Sequence, residues 1–357
     1  MNRKTLIASA VGAALALPAT ALAQGVNFDF YGSARVQVES VSPDKDEVLD
    51  SYTGVRDAYS RIGFNADYAL TDGLDLIGTL ELPMDLANKK IQDPWDQDRD
   101  DTTSDQSRDV RVAKIGVQGD IGTLTVGQMW MPYYNAIAYP VDMFSTYYSG
   151  FATQTSFRLQ DTIAYYSPDM NGFSLGFSWS SEAGQEDADG DDDDRLQLTG
   201  SYSFGDTTLA VGMDDRQGEF NERSIGASIS QDIGNLYLAA KYERYDNDAP
   251  DADAEFFEDG DTAMNLYAGY TLGKNTFKVM LADVETYGES VYHLGYDYQM
   301  TSDLKLFAEY YSEEETAAIT EERGGISDWY GDDADTDAGY DDVSGGQVFA
   351  AGVRYDF

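Results

Sequence analysis

From residue 28 to the C-terminus the chain returns again and again to a two-residue repeat of apolar and polar side chains. Phe28, Phe30, Gly32, Ala34, Val36 and Val38 share one face of an extended segment. Asp29, Tyr31, Ser33, Arg35, Gln37 and Glu39 share the other. Side chains alternate between the faces of a strand, so the pattern predicts strands, not amphipathic helices. It recurs in Ile62, Phe64, Ala66 and Tyr68 against Arg61, Asn65 and Asp67, and in Leu196, Leu198 and Tyr202 against Arg195, Gln197 and Ser201. It recurs again in Tyr292, Leu294, Tyr296 and Tyr298 against His293 and Asp297, and in the terminal Phe349, Ala351, Val353, Tyr355 and Phe357.

Dividing the chain at turn signals predicts sixteen strands: 28–40, 58–69, 73–83, 109–119, 122–130, 160–167, 172–181, 194–204, 207–215, 221–231, 235–246, 261–271, 275–286, 289–299, 303–313 and 347–357. Most have the length that a tilted strand needs to cross a bilayer. Short turns such as Thr71-Asp72-Gly73 and Gly205-Asp206 alternate with connections that are mostly longer and acidic, at 41–57, 84–108, 131–159, 182–193, 216–220, 247–260, 287–288 and 314–346, of which 216–220 and 287–288 are short exceptions. Short turns at one end and long loops at the other describe a transmembrane β-barrel. Side chains cannot fill the lumen of a barrel of this size. The apolar face therefore points outward to lipid, and the polar face lines a water-filled channel. The expected fold class is all-β, a sixteen-stranded antiparallel transmembrane barrel. One strand conflicts with strict alternation. If Arg111 faces the lumen, so do Ala113, Ile115 and Val117, while Lys114 meets lipid. A bulge or a tilt near the rim would resolve this.

The N-terminus carries a different signal. Arg3 and Lys4 precede an apolar stretch from Leu6 to Leu17, then Pro18 and Ala21-Leu22-Ala23. This is the layout of a secretory signal peptide over 1–23, leaving 24–357 as the barrel domain. The next apolar windows are too short for a membrane helix, which says nothing against a barrel. A formal charge of −42 argues against nucleic-acid partners. Zero cysteines and one histidine exclude a disulfide framework and a Cys-ligated zinc, and make a His-based catalytic or metal cluster improbable. No cofactor and no metal are expected. An outer-membrane enzyme would have only His293 to work with, which parity places in the lumen.

Several segments resemble the general-porin family of Gram-negative outer membranes. They are Phe30-Tyr31-Gly32, Ser60-Arg61-Ile62-Gly63-Phe64, the run from Arg111 to Gly122 with its continuation to Gln128, and the run from Asp161 to Gly172. The terminal Val353-Arg354-Tyr355-Asp356-Phe357 looks like the aromatic signature, Tyr355 and Phe357, that barrel-assembly machinery reads. The resemblance implies a homotrimer of sixteen-stranded barrels in the outer membrane, through which ions and small hydrophilic solutes diffuse passively. Gln128 departs from the family by standing where arginine often follows glycine.

The third long connection, 130–159, is unlike the others. It holds Trp130, Tyr133, Tyr134, Tyr139, Phe144, Tyr147, Tyr148 and Phe151, and over 130–151 its one charged residue is Asp142. Left in water it would be a large apolar patch, so it must pack on something. The porin resemblance puts it in the lumen as the constriction; a subunit interface is the alternative. Opposite it, parity directs Arg35 and Arg61 into the lumen, with Arg158 and Arg111 as further candidates. Arginine keeps its charge and grips anions bidentately. Facing Asp142 and Glu81, these residues would set a transverse field, or else pair with carboxylates for stability. The acidic loops are expected to be solvated and to share divalent cations with lipopolysaccharide. The run Asp187-Ala188-Asp189-Gly190-Asp191 hints at a calcium loop but lacks the downstream glutamate. A substrate-specific channel for sugar or phosphate is the rival reading. Scarce lysines disfavour phosphate, and the aromatic loop leaves sugar open.

Overall fold

The computed structural model describes residues 25–44, 51–87, 110–181, 194–217, 221–247, 258–285, 288–314, 319 and 345–357. Its strands in chain order are β1 (Val26–Pro43), β2 (Tyr52–Asp57), β3 (Ser60–Thr71), β4 (Leu74–Met84), β5 (Val112–Gly119), β6 (Gly122–Trp130), β7 (Arg158–Tyr166), β8 (Phe173–Ser180) and β9 (Asp194–Phe204). The rest are β10 (Thr207–Gln217), β11 (Arg223–Ile233), β12 (Leu236–Asp246), β13 (Thr262–Leu272), β14 (Asn275–Val284), β15 (Glu289–Gln299), β16 (Leu304–Glu313) and β17 (Gly346–Asp356). Successive strands pair antiparallel, except that β2 and β3 both pair with β1, and β1 also pairs with β17, so the sheet closes on itself. Closure leaves no open edge in the wall, the condition for a sheet in hydrocarbon.

The second stave is longer than expected. β2 and β3 both pair with β1 and form one stave broken at Ala58-Tyr59, where Tyr59 takes a left-handed φ of 66°. The connection expected over 41–57 is therefore partly strand. Counted this way the barrel has sixteen staves, joined at one end by the short turns that turn residues predict. At Gly205 and Gly273 the backbone has φ 58° and 63°, which glycine adopts without a Cβ clash.

The faces sort as alternation requires. Val211 is 62% exposed and Leu266 50% exposed on the outside, with Leu198, Ile229, Phe277 and Leu294 on the same surface. Gln197, Asn265 and His293 face inward and are fully buried. In the fifth strand the conflict disappears because β5 begins at Val112, one residue after Arg111. Lys114 pairs with Thr79 on the face that carries Glu81, while Ile115 is exposed outside. Arg111 lies outside the alternating segment, and its backbone N–H donates to the Glu81 carbonyl at 3.0 Å. Lys114 thus faces the lumen, not lipid.

Candidate functional site: the constricted lumen

The chain leaves β6 at Trp130 and turns into the barrel. A π-turn at Tyr134–Ala138 and two short 3-10 turns, Tyr139–Val141 and Tyr148–Phe151, shape the loop. Its path follows a bed of small residues on the inner wall. A side chain at Gly226 would collide with the Tyr133 ring, and one at Gly212 would come within 3.0 Å of it. Gly295 leaves similar room for Phe144. Tyr133 and Ile137 sink into this bed and are fully buried.

Wall carboxylates then hold the loop backbone. Glu309 accepts the N–H groups of Ser145 and Thr146 at 2.8 and 2.9 Å. Glu243 accepts the Gln154 N–H at 3.0 Å and pairs with Lys241, which donates to the Ala152 carbonyl at 2.7 Å. Tyr148 donates to Glu39 at 2.8 Å, and Thr155 to Asp214 at 2.9 Å. Charged acceptors make stronger bonds than neutral ones, so the loop is fixed along its length. His293 is part of this support and not an open pore-lining residue. It is sealed beneath the loop, with Phe144 stacked on it at 3.6 Å and Glu309 at 3.4 Å from Nε2.

Between the loop and the opposite wall lies a cavity of about 560 Å³. Arg35, Arg61, Arg111, Arg158, Lys305 and Arg354 line it, and Asp142 is the one carboxylate among its lining residues. Cross-strand register explains part of this crowding. Lys305 lies directly opposite Arg354, and Arg354 directly opposite Arg35. Like charges directly opposed on neighbouring strands destabilise a sheet. Arg35 is the extreme case. It is 7% exposed and its Nε donates to Ser33 Oγ at 2.7 Å, with no ion pair among the described residues.

Glu81 stands on the cationic side and not across from it. It receives Arg111 Nε at 2.8 Å, lies 3.8 Å from Arg61, and accepts the Tyr31 hydroxyl at 3.1 Å. Asp142 belongs to the loop, where the Tyr134 hydroxyl donates at 2.7 Å and Ser149 Oγ at 2.9 Å. Burial pushes its carboxyl up from the ordinary range, against those hydrogen bonds, which pull it down. Trp130 stacks on Tyr134 at 4.8 Å with the Arg158 guanidinium 4.7 Å from its ring, and Tyr147 meets Tyr59 edge-on at 5.0 Å.

Of the residues expected at the constriction, the four arginines and Asp142 thus share one cavity, with Glu81 bound beside the arginines. Tyr133, Phe144 and Tyr148 face the supporting wall. Tyr355 and Phe357 stack on each other at 5.7 Å on the outer surface of the closing strand. Gln128 pairs with Ala113 beside an irregular register at Gly127 and is not a lining residue. Sequence reading missed Lys305 and Arg354. Both sit on the polar phase of their strands, a signal that could have put them in the lumen, but only register sets them beside Arg35. The hinted calcium loop lies outside the described residues. Among the described residues no group of three His, Cys, Asp or Glu side chains is arranged to hold a metal.

The Gram-negative porin profile matches residues 8–318. The chain is 24% identical over 284 residues to a monosaccharide porin of a Halomonas species and, equally, to the major outer membrane protein of Halomonas elongata. That match covers 71% of this chain and 74% of each relative. Its fold matches the anion-selective porin of Comamonas acidovorans with a TM-score of 0.68 at 15% identity, over 93% of this chain and all of that one. OmpF of Salmonella typhi, solved with daunomycin, gives 0.68 at 17% identity, covering 94% and 99% of the two chains. With a closed sixteen-stave barrel, an apolar exterior and a polar interior narrowed by a loop, the chain belongs to the Gram-negative porin family and forms a channel through the outer membrane.

Proposed function

We propose that this porin is an anion-preferring diffusion channel whose constriction lies between the 131–157 loop and the wall of Arg35, Arg61, Arg111 and Arg158. One observation carries the reading: Arg35 is a nearly buried cation, opposed by Arg354, without an ion-pair partner among the described residues. A buried unpaired charge is costly unless something compensates it. A passing anion supplies that compensation, and a passing cation adds to the repulsion. Lys305 and Arg354 extend the row along the wall, with their charge shared by Asp297 and Asp356. Asp142 and Glu81 moderate it, Asp142 from the loop and Glu81 by pairing with Arg111.

Reversal potentials across a KCl gradient near 1 M, where screening shortens the reach of distant loops, test the reading. Preference for chloride supports it; preference for potassium at that salt removes it. A monosaccharide channel is the second reading. The named Halomonas relative and the aromatic loop favour it, and swelling of proteoliposomes in isosmotic sugar measures it.

The remaining features belong to the same proposal. Residues 1–23 act as a leader that is removed on export. Tyr355 and Phe357 present the assembly signal to barrel-assembly machinery. The barrel works as a homotrimer, as the trimer form of a structural neighbour, OmpT of Vibrio cholerae, supports. Acidic loops meet lipopolysaccharide through divalent cations. The protein carries out no enzymatic reaction. Its one histidine is enclosed beneath the loop, out of reach of a substrate.

A further inference from the structure

We propose that the constriction selects, among organic anions, those with a planar aromatic ring next to the charge: aryl carboxylates. This rests on the anion-preferring reading and adds a ligand class to it.

The cavity has two chemically different walls. On the barrel side, Arg35, Arg354 and Lys305 form an uninterrupted cross-strand row of cations. On the loop side lies an aromatic ladder in which Trp130 stacks on Tyr134 at 4.8 Å and Tyr134 meets Tyr139 edge-on at 6.3 Å. Tyr139 is 52% exposed, although Ala138 and Val141 close to it in the loop are buried. Phe157 closes on Tyr134 at 4.9 Å, and all four rings line the same cavity. Packing of the loop requires Tyr133, Phe144 and Tyr148 against the wall. It does not require Tyr139 to project into the passage. A ring that stays exposed beside a cationic row offers a stacking surface to whatever the cations attract.

The polar inventory separates an aromatic acid from a sugar acid. Sugar hydroxyls need acceptors as well as donors. Among the lining residues the one carboxylate, Asp142, already receives Tyr134 and Ser149. Asn135 commits its Nδ2 to the Trp130 carbonyl and the Tyr166 hydroxyl, which leaves its Oδ1 as an amide acceptor on this wall. On the other wall Glu81 takes Arg111, Asp356 takes Arg354 and Asp297 takes Lys305. Arg35 donates to Ser33 Oγ and meets no carboxylate among the described residues, so the charge left over there is cationic and suits a carboxylate better than a hydroxyl. A cavity of about 560 Å³ accommodates a single-ring acid with its water.

The test is titration of chloride current through the trimer in planar bilayers with benzoate, cyclohexanecarboxylate and glucuronate. Each carries one negative charge, and they differ in ring type and hydroxyl count. Benzoate should block saturably, and at a concentration about 3- to 10-fold lower than cyclohexanecarboxylate, the fold-change that an aromatic contact supplies. Tyr139→Leu should erase that ratio, and Tyr139→Phe should keep it, which separates loss of the ring from damage to the loop. Equal block by benzoate and cyclohexanecarboxylate in the wild type would overturn the ligand class while leaving chloride preference standing. Stronger block by glucuronate would overturn it in favour of hydroxylated acids. Absence of chloride preference in the same membranes would remove the anion-preferring reading itself, and the ligand class with it.

Discussion

Gly32 and Phe357 close the barrel. Gly32 N–H donates to the Phe357 carbonyl at 2.8 Å, Phe357 N–H donates back at 3.1 Å, and the Phe357 ring occupies the space that a Cβ on residue 32 would need. The last residue of the chain is thereby laid over the first strand, and its ring covers backbone on the lipid side. Gly32→Val should displace the ring and lower the yield of folded, heat-modifiable barrel in outer membranes. Overpacking of this kind costs about 1–3 kcal/mol. Truncation of Phe357 should lower the yield too, by removing both hydrogen bonds. A normal folded fraction for Gly32→Val on unheated gels would show that the ring has another seat.

The loop is held by carboxylates, so removing one should free a defined piece of it. Glu309→Ala strips the acceptor from the Ser145 and Thr146 N–H groups and leaves Lys278 without a partner it now meets at 3.2 Å. Breaking a buried pair from one side costs about 3–5 kcal/mol. The barrel should still form, since its hydrogen bonds lie elsewhere. Open-channel current noise should rise, and protease should cut within 131–157 faster than in the wild type. Unchanged noise and cleavage would mean that the aromatic bed alone fixes the loop.

Ionic strength should reorder the channel's preference. The acidic connections expected at the mouth and the arginines of the proposed constriction would attract opposite ions. Screening lengths are about 10 Å at 0.1 M salt and about 3 Å at 1 M. At low salt the loops should enrich potassium at the entrance; at high salt the constriction should dominate and chloride should pass more readily. Arg35→Gln should shift reversal potentials toward potassium, with most of its effect surviving at 1 M. A wild-type preference that does not move across the salt series would count against two separate fields.

Acidification should favour anions. Burial holds the Asp142 carboxyl above the usual carboxylate range, so it gains its proton at a higher pH than exposed aspartates do. Protonation removes the single loop carboxylate facing the arginine wall, and chloride preference should climb as pH falls toward that range. Asp142→Asn should show the raised preference already at neutral pH and lose that early part of the pH response. Glu81→Gln should raise chloride preference as well, by releasing Arg111 from its 2.8 Å partner. Wild type and Asp142→Asn with identical pH profiles would remove Asp142 from the field.

Much of this architecture is local and was legible in the chain. Strand parity depends on one residue and its neighbours, so alternation was enough to give the strands, the outward apolar face and the inward phase of Arg35 and Arg61. Where a segment stopped being regular, parity failed. Arg111 lies one residue before β5, and Tyr59 interrupts the second stave, features that a two-residue repeat does not encode.

The amino-acid sequence by itself pointed to a barrel with lipid outside and water within, because short turns alternate with mostly longer connections and sixteen strands enclose a lumen too wide for apolar side chains to fill. Only the tertiary structure decided which luminal charges meet. Register between strands far apart in the chain set Lys305, Arg354 and Arg35 in one row. The loop's descent onto Gly212, Gly226 and Gly295 placed Asp142 and the aromatic ladder across from them. Both are outcomes of long-range packing, where the position of one residue depends on hydrogen bonds made by others hundreds of positions away.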